Sequence, residues 1–255
     1  MSLVTKKLLL DVGNTSLKWG IYCDRHLSVV NVVKHQNNLR ETLRSTFIGY
    51  PKPEVVFVSN VMGASINDQI RDYVTTEWGV SAHIIKTKAE GFGIKICYTD
   101  PSRLGVDRWL ALIAARSLIK ETLLIVDSGS ATTFDALSSS GEHLGGLILP
   151  GLEMMHESLL SKTSIPCVEF VDSNEVFALD TLGAVSAAAV QSSAALVDRL
   201  YLTLKNREGC APRLILTGGN AAVIGAQILC KSEPLYEPQL VMKGFALVVD
   251  SGDAE

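Results

Sequence analysis

Asp11-Val-Gly-Asn-Thr-Ser-Leu-Lys18 sets a carboxylate, a glycine, short polar side chains and a lysine at the end of the apolar run Leu8 to Leu10. Those residue types in that order suit polyphosphate chemistry. Backbone N–H groups exposed in a tight turn, with the Asn14 amide and Thr15 hydroxyl, donate to phosphate oxygens. A carboxylate such as Asp11 suits a hard divalent cation held partly through its own waters, and Lys18 adds a point charge. Gly13 is expected to let the backbone bend sharply. The same letters also describe an ordinary hairpin, so the rest of the chain has to decide between the two.

A second segment, Asp127-Ser-Gly-Ser-Ala-Thr-Thr133, repeats the pattern after another apolar run, Leu123 to Val126. The two acids stand 116 residues apart in a chain of 255, close to half its length. Such spacing points to a duplicated unit, each copy offering one strand-turn-strand to phosphate. A third candidate is Asp107 in Gly105-Val-Asp-Arg108, at the head of a strongly helix-forming stretch. An acid in a first helical turn is favourable toward the dipole, whereas the adjacent Arg108 is not. Simple capping and a role in chemistry both account for Asp107 at this point. Gly218-Gly-Asn220 follows a late apolar run and could contact a nucleotide or serve only as a strand-to-helix turn.

The elements needed to carry these residues follow from periodicity and punctuation. Strands are expected over the apolar runs that end at Asp11 and Asp127 and over the segment after each turn, 17–22 in the first case, and over 27–33, 54–59, 82–85, 142–150 and 213–217. Helices are expected over 37–47, with Asn37 or Asn38 as cap, and over 65–78, 103–116, 152–160, 181–204, 220–229 and 240–249. Residues 89–102 read as a loop and 161–172 as a loop with one short strand. Small residues at Gly183, Ala184, Ala187, Ala188 and Ala189 suit close packing, in a core or across a subunit interface. The expectation is an α/β protein with domains 1–118 and 119–255.

Bulk composition narrows the function. A content of 47% hydrophobic and 20% charged residues is globular. A formal net charge of −4 and a pI near 5.8 give no footprint for nucleic acid. No run of about 18 apolar residues offers a membrane span, and the apolar run after Lys6-Lys7 is short for a signal core; a cytoplasmic protein is expected. The five cysteines, Cys23, Cys97, Cys167, Cys210 and Cys230, form no close pair and read as reduced thiols. The five histidines are equally dispersed; His143 and His156 read as solvated or core-filling.

Four blocks in fixed order, Asp11 to Lys18, Gly105 to Arg108, Asp127 to Thr133 and Gly145-Gly-Leu-Ile-Leu-Pro-Gly151, together resemble the type III pantothenate kinases over nearly the whole chain. The resemblance implies two duplicated ribonuclease-H-like (actin-like ATPase) domains, with mixed sheets flanked by helices and an ATP cleft between them. It implies transfer of the ATP γ-phosphoryl group to pantothenate, the first step of coenzyme A synthesis. By position it assigns ATP binding to Asp11, Val12, Gly13, Asn14, Thr15, Ser16, Leu17, Lys18 and Ser130, the last standing where the family more usually has threonine. Pantothenate would be held by Tyr98, Gly105, Val106, Asp107, Arg108 and Thr181, with Asp107 as proton acceptor. Mg2+ would meet Asp11 through water, and a monovalent cation, K+ or NH4+, would meet Asp127. A homodimer with pantothenate near the interface is also implied. A non-catalytic nucleotide-binding accessory protein, or another kinase or phosphohydrolase of the same superfold, is the alternative.

Overall fold

The computed structural model describes residues 6–35, 38–166, 168–172 and 175–252. Two compact units emerge: one holds the chain up to Ala89, Tyr98–Ala114 and the chain from Leu240; the other holds Glu90–Cys97 and Ala115–Gln239.

The first unit opens with β1 (Lys7–Val12), β2 (Ser16–Cys23) and the short strands β3 (His26–Leu27) and β4 (Asn31–Lys34). The single strand expected over 27–33 is thus divided in two. After α1 (Leu39–Phe47) come β5 (Val55–Asn60), α2 (Ala64–Trp78) and β6 (Ala82–Ile84), and the sheet order is β3-β2-β1-β5-β6, with β4 also on β2. Asn38 caps α1, its Oδ1 accepting from Glu41 N at 3.1 Å; Asn37, the other expected cap, lies outside the described residues. β1 is antiparallel to β2 and parallel to β5, and both its faces are covered, so it is apolar throughout rather than alternating. Leu8, Leu10 and Val12 join Leu43, Phe47, Ile70 and Val74 of the two helices in one core. Edge-to-face contacts of Trp19 with Phe47 and Tyr50, centroids 5.0 and 5.1 Å apart, lock α1 to the sheet. Alternation leaves Leu9 and Asp11 on the opposite face.

The second unit repeats this plan. A two-residue pair β7 (Glu90–Gly91) and β8 (Ile94–Lys95) occurs inside the expected loop; α3 (Val106–Leu118), which follows, belongs to the first unit as far as Ala114. Then come β9 (Leu123–Ser128), β10 (Ala131–Leu137), β11 (His143–Pro150), α4 (Leu152–Leu160), α5 (Thr181–Glu208), β12 (Arg213–Thr217), α6 (Ala221–Gly225) and β13 (Leu235–Tyr236). Sheet order β11-β10-β9-β12-β13 matches that of the first unit, with β9 antiparallel to β10 and parallel to β12. Leu124 and Val126 pack with Val190 and Val197 of α5, which places Asp127 on the face away from that core. No strand forms among the described residues of 161–172, where the sequence led us to expect one. Exposed Val168, Glu169, Val171 and Asp172 flank Phe170, which alone of the five packs on the core, so there is no alternation to hold a strand. Cys167 lies outside the described residues. Helix α6 stops four residues before the expected Leu229. There the backbone N–H of Leu229 and Cys230 turn to the Asp198 carboxylate instead, at 2.9 and 2.7 Å.

The chain returns to the first unit as α7 (Leu240–Asp250), whose Gly244 packs on the Leu110 carbonyl of α3 with no room for a Cβ. Because that contact seats α3, Gly244→Ala should cost about 1–3 kcal/mol in a urea unfolding titration; unchanged stability would refute the close approach.

Candidate active site

In the first unit, the β1–β2 turn closes by Gly13 N–H donating to Ser16 O at 3.0 Å. Gly13 itself is not at positive φ, and a Cβ there would stand 3.4 Å from Ser16 O, an ordinary contact. The sharp bend expected of it is therefore not what that position requires. The buried ring of His35 holds the turn instead, with Nε2 2.8 Å from Gly13 O, while His35 N–H donates to Thr15 O at 3.1 Å. Asn14 and Thr15 are exposed, as a phosphate turn requires.

Asp11 is 7% exposed, and its Oδ1 accepts from Ser59 Oγ at 2.8 Å. Parallel pairing puts Asp11 level with Ser59, and antiparallel pairing puts it level with Lys18, so the three share one face. The Ser59 hydroxyl therefore braces the carboxylate on the face that it shares with Lys18. Ser59 was legible only as a polar strand end, because the 48-residue separation leaves no local signal of the pairing.

Asp107 lies in the first turn of α3, and its Oδ1 accepts from Arg108 N–H at 2.8 Å. A Cβ on Gly105 would stand 2.5 Å from that oxygen, so the glycine makes the space in which the carboxylate sits. Arg108 is buried, and its Nη1 donates to Tyr98 Oη at 3.1 Å, which brings together two of the residues expected to bind pantothenate. Between Tyr98 and α3, Asp100 caps a short turn: hydrogen bonds from Ser102 Oγ and N–H hold its carboxyl below the usual range.

In the second unit Asp127 is the penultimate residue of β9, level with Thr217 on its parallel neighbour, as Asp11 is level with Ser59. Gly218, at φ +90°, is the residue that cannot change there: a Cβ would meet Ser128 O and stand 2.6 Å from Asp127 Oδ1. Ser130 is exposed at the β9–β10 turn, where Gly129 N–H donates to Ala131 O at 3.0 Å. Thr181 is the exposed first residue of α5, next to the capping Asp180, whose Oδ1 accepts from Gly183 N–H at 2.8 Å. Asn220 of the Gly-Gly-Asn turn donates its N–H to Ser128 O at 3.1 Å, and its amide reaches Glu153 Oε2 at 3.0 Å. Among the described residues no group of three or more His, Cys, Asp or Glu could hold a metal ion.

The sequence pattern that describes type III pantothenate kinase matches residues 7–203. A type III pantothenate kinase of Nitrosococcus oceani is 31% identical over 252 residues, covering 94% of this chain and 92% of the relative. Among solved structures, a Campylobacter jejuni protein assigned to the Baf family aligns with TM-score 0.59 at 23% identity, covering 97% of this chain and all of the other. AMPPNP-bound MreB5 of Spiroplasma citri aligns with TM-score 0.52 at 11% identity, covering 98% and 97%. At those identities the structural likeness speaks to the fold, which is that of the actin-like ATPases.

The Ser59 hydroxyl donates to Asp11, so Ser59→Ala should preserve the fold and lower Mg-ATP affinity about 10-fold or more, in line with about 1.5–3 kcal/mol for a hydrogen bond to a charged group. Isothermal titration would show it, and unaltered affinity would remove Ser59 from the site.

Proposed function

The chain belongs to the type III pantothenate kinase family, whose reaction, ATP-dependent phosphorylation of pantothenate to 4′-phosphopantothenate at the start of coenzyme A synthesis, is its activity, and we propose the following division of labour among its residues. Phosphoryl transfer passes through a loose transition state, so positioning and charge stabilisation do most of the work. The observation that carries the assignment is the ordered set at the head of α3: Gly105 leaves the space, Asp107 is held by the Arg108 N–H, and Arg108 is held by Tyr98.

Asp107 accepts the proton of the pantothenate primary hydroxyl. A carboxylate near a helix N-terminus is a weak base, but proton transfer that comes late in a loose transition state asks for orientation more than basicity. Arg108, buried and oriented through Tyr98, supplies a charge-assisted contact to an anionic group, the pantothenate carboxylate or the phosphoryl group in flight. Val106 and Gly105 complete that wall. The segment Asp11 to Lys18 takes the ATP phosphates through turn N–H groups and hydroxyls, and the second unit offers the exposed hydroxyls of Ser130 and Thr181.

Asp11, level with Lys18 and braced by Ser59, fits Mg2+ contacted through water; the ion, when bound, draws charge from the phosphate oxygens. Asp127 fits a monovalent cation, because the absence of a Cβ at Gly218 leaves room beside its Oδ1 and the Ser128 carbonyl, and carboxylate and carbonyl oxygens are donors suited to K+ or NH4+. The dimer implied by the family is supported by the exposed Phe177 and Leu179 just before the alanine-rich start of α5, at 88% and 95% exposure. No helix among the described residues is long and apolar enough to cross a membrane, in keeping with a cytoplasmic enzyme.

Coupled detection of ADP, with and without pantothenate, tests the reading. ADP release should depend on pantothenate; release without it would indicate a hydrolase, and none at all an accessory protein. Asp107→Asn should lower kcat by about 10²–10⁴ with KM values little changed, and near-normal turnover by that variant would end the assignment of the base.

A further inference from the structure

One cluster of reactive side chains plays no part in the assignment above. His143 and Asp135 are 1% and 3% exposed, on the two antiparallel strands β11 and β10, and His143 Nε2 lies 2.9 Å from Asp135 Oδ1. The other ring nitrogen, Nδ1, lies 3.5 Å from the Sγ of Cys97, a residue exposed to solvent. A carboxylate can only accept, so Nε2 carries the hydrogen, and in the neutral ring Nδ1 is then the acceptor for the thiol. Acid, imidazole and thiol form one ordered chain with its nucleophile at the surface.

The backbone fixes Cys97 in that place. Lys95 N–H donates to Gly141 O at 2.9 Å, two residues before Cys97 and two before His143, and Lys95 also bridges to Glu142 in parallel fashion. Gly141, at φ +92°, approaches the Gly93 carbonyl so closely that no Cβ fits between them. Arg116 Nη2 ties the same hairpin down at Ser139 O, 2.7 Å away. The segment from Gly93 to Cys97 is therefore clamped to the β10–β11 turn.

We propose that Cys97 is a modification site, a thiol activated by His143 and Asp135 that takes low-molecular-weight disulfides. His143 Nδ1 accepts the Sγ proton, and the imidazolium is stabilised by Asp135, as in other acid-imidazole-nucleophile chains. The thiolate attacks one sulfur of the disulfide: a new Sγ–S bond forms, the S–S bond of the reagent breaks, and the departing thiolate leaves as a thiol with the proton from His143. Cys97 is oxidised to a mixed disulfide, and half of the reagent is reduced. The adduct sits on the residue joined by a peptide bond to Tyr98.

The protein supplies its own comparators. Cys210 is also exposed, but its Sγ lies 3.7 Å from a hydroxyl, that of Thr122, rather than an imidazole. Cys230 is half-buried beside Asp198, and burial with that carboxylate pushes its thiol up to about 11. Treat the full-length enzyme at neutral pH with bis(2-hydroxyethyl) disulfide, which is uncharged, and follow each cysteine by peptide mass spectrometry. Cys97 should gain the adduct at least about 10-fold faster than Cys210. His143→Gln should bring the two rates together, and Asp135→Asn should slow Cys97. Equal rates at Cys97 and Cys210 in the unsubstituted enzyme would overturn the proposal even if the His143 variant failed to fold.

Discussion

A carboxylate at the end of a strand that is hydrogen-bonded on both sides is the constraint on which this structure turns. β1 has an antiparallel neighbour on one side and a parallel one on the other, and Asp11 stands at its penultimate position, almost out of water. An acid there is costly unless it is hydrogen-bonded or faces a cation. The Ser59 hydroxyl supplies part of the compensation, and Lys18, level with Asp11 on β2, puts a cationic residue on the same face.

The second unit reaches the same solution with different side chains. Its central strand has the same two kinds of neighbour, the acid sits on the same face relative to the helix-covered core, and the parallel partner again presents a hydroxyl residue level with it, Thr217 in place of Ser59. The turns diverge: Gly13 pairs with the residue three positions on, Gly129 with the residue two on. Topology and register are retained where they fix the acid, and turn detail has drifted where only backbone N–H groups need to be offered. Asp107 obeys another logic, its position resting on a helix seated by Gly244 and on the space left by Gly105.

Most of this scaffold was legible because its signals are local. The apolar runs of β1, β9 and β12, the face of α2 and the Asn38 cap all declare themselves within a few residues, and α4 and β12 fall within their expected bounds. The two related acids were legible as a repeat, since a repeat needs no knowledge of contacts. What stayed hidden depends on distant pairing: Ser59 beneath Asp11, His35 beneath the turn, and Asp198 drawing the Leu229 and Cys230 N–H groups away from a longer α6. The strand expected within 161–172 failed for the converse reason, since a segment in which Phe170 alone packs on the core has no alternation to hold a strand.

His143 shows how a residue can satisfy two descriptions. Sequence alone favoured a solvated or core-filling role, and in one respect the ring is the second of these: it is buried between strands and fixed by Asp135. Burial is also what gives the ring a defined tautomer, because the carboxylate claims one nitrogen and leaves the other as acceptor. An exposed histidine beside Cys97 would rotate and share its nitrogens with water. The packing that makes His143 look structural is therefore the condition under which it can act on the thiol.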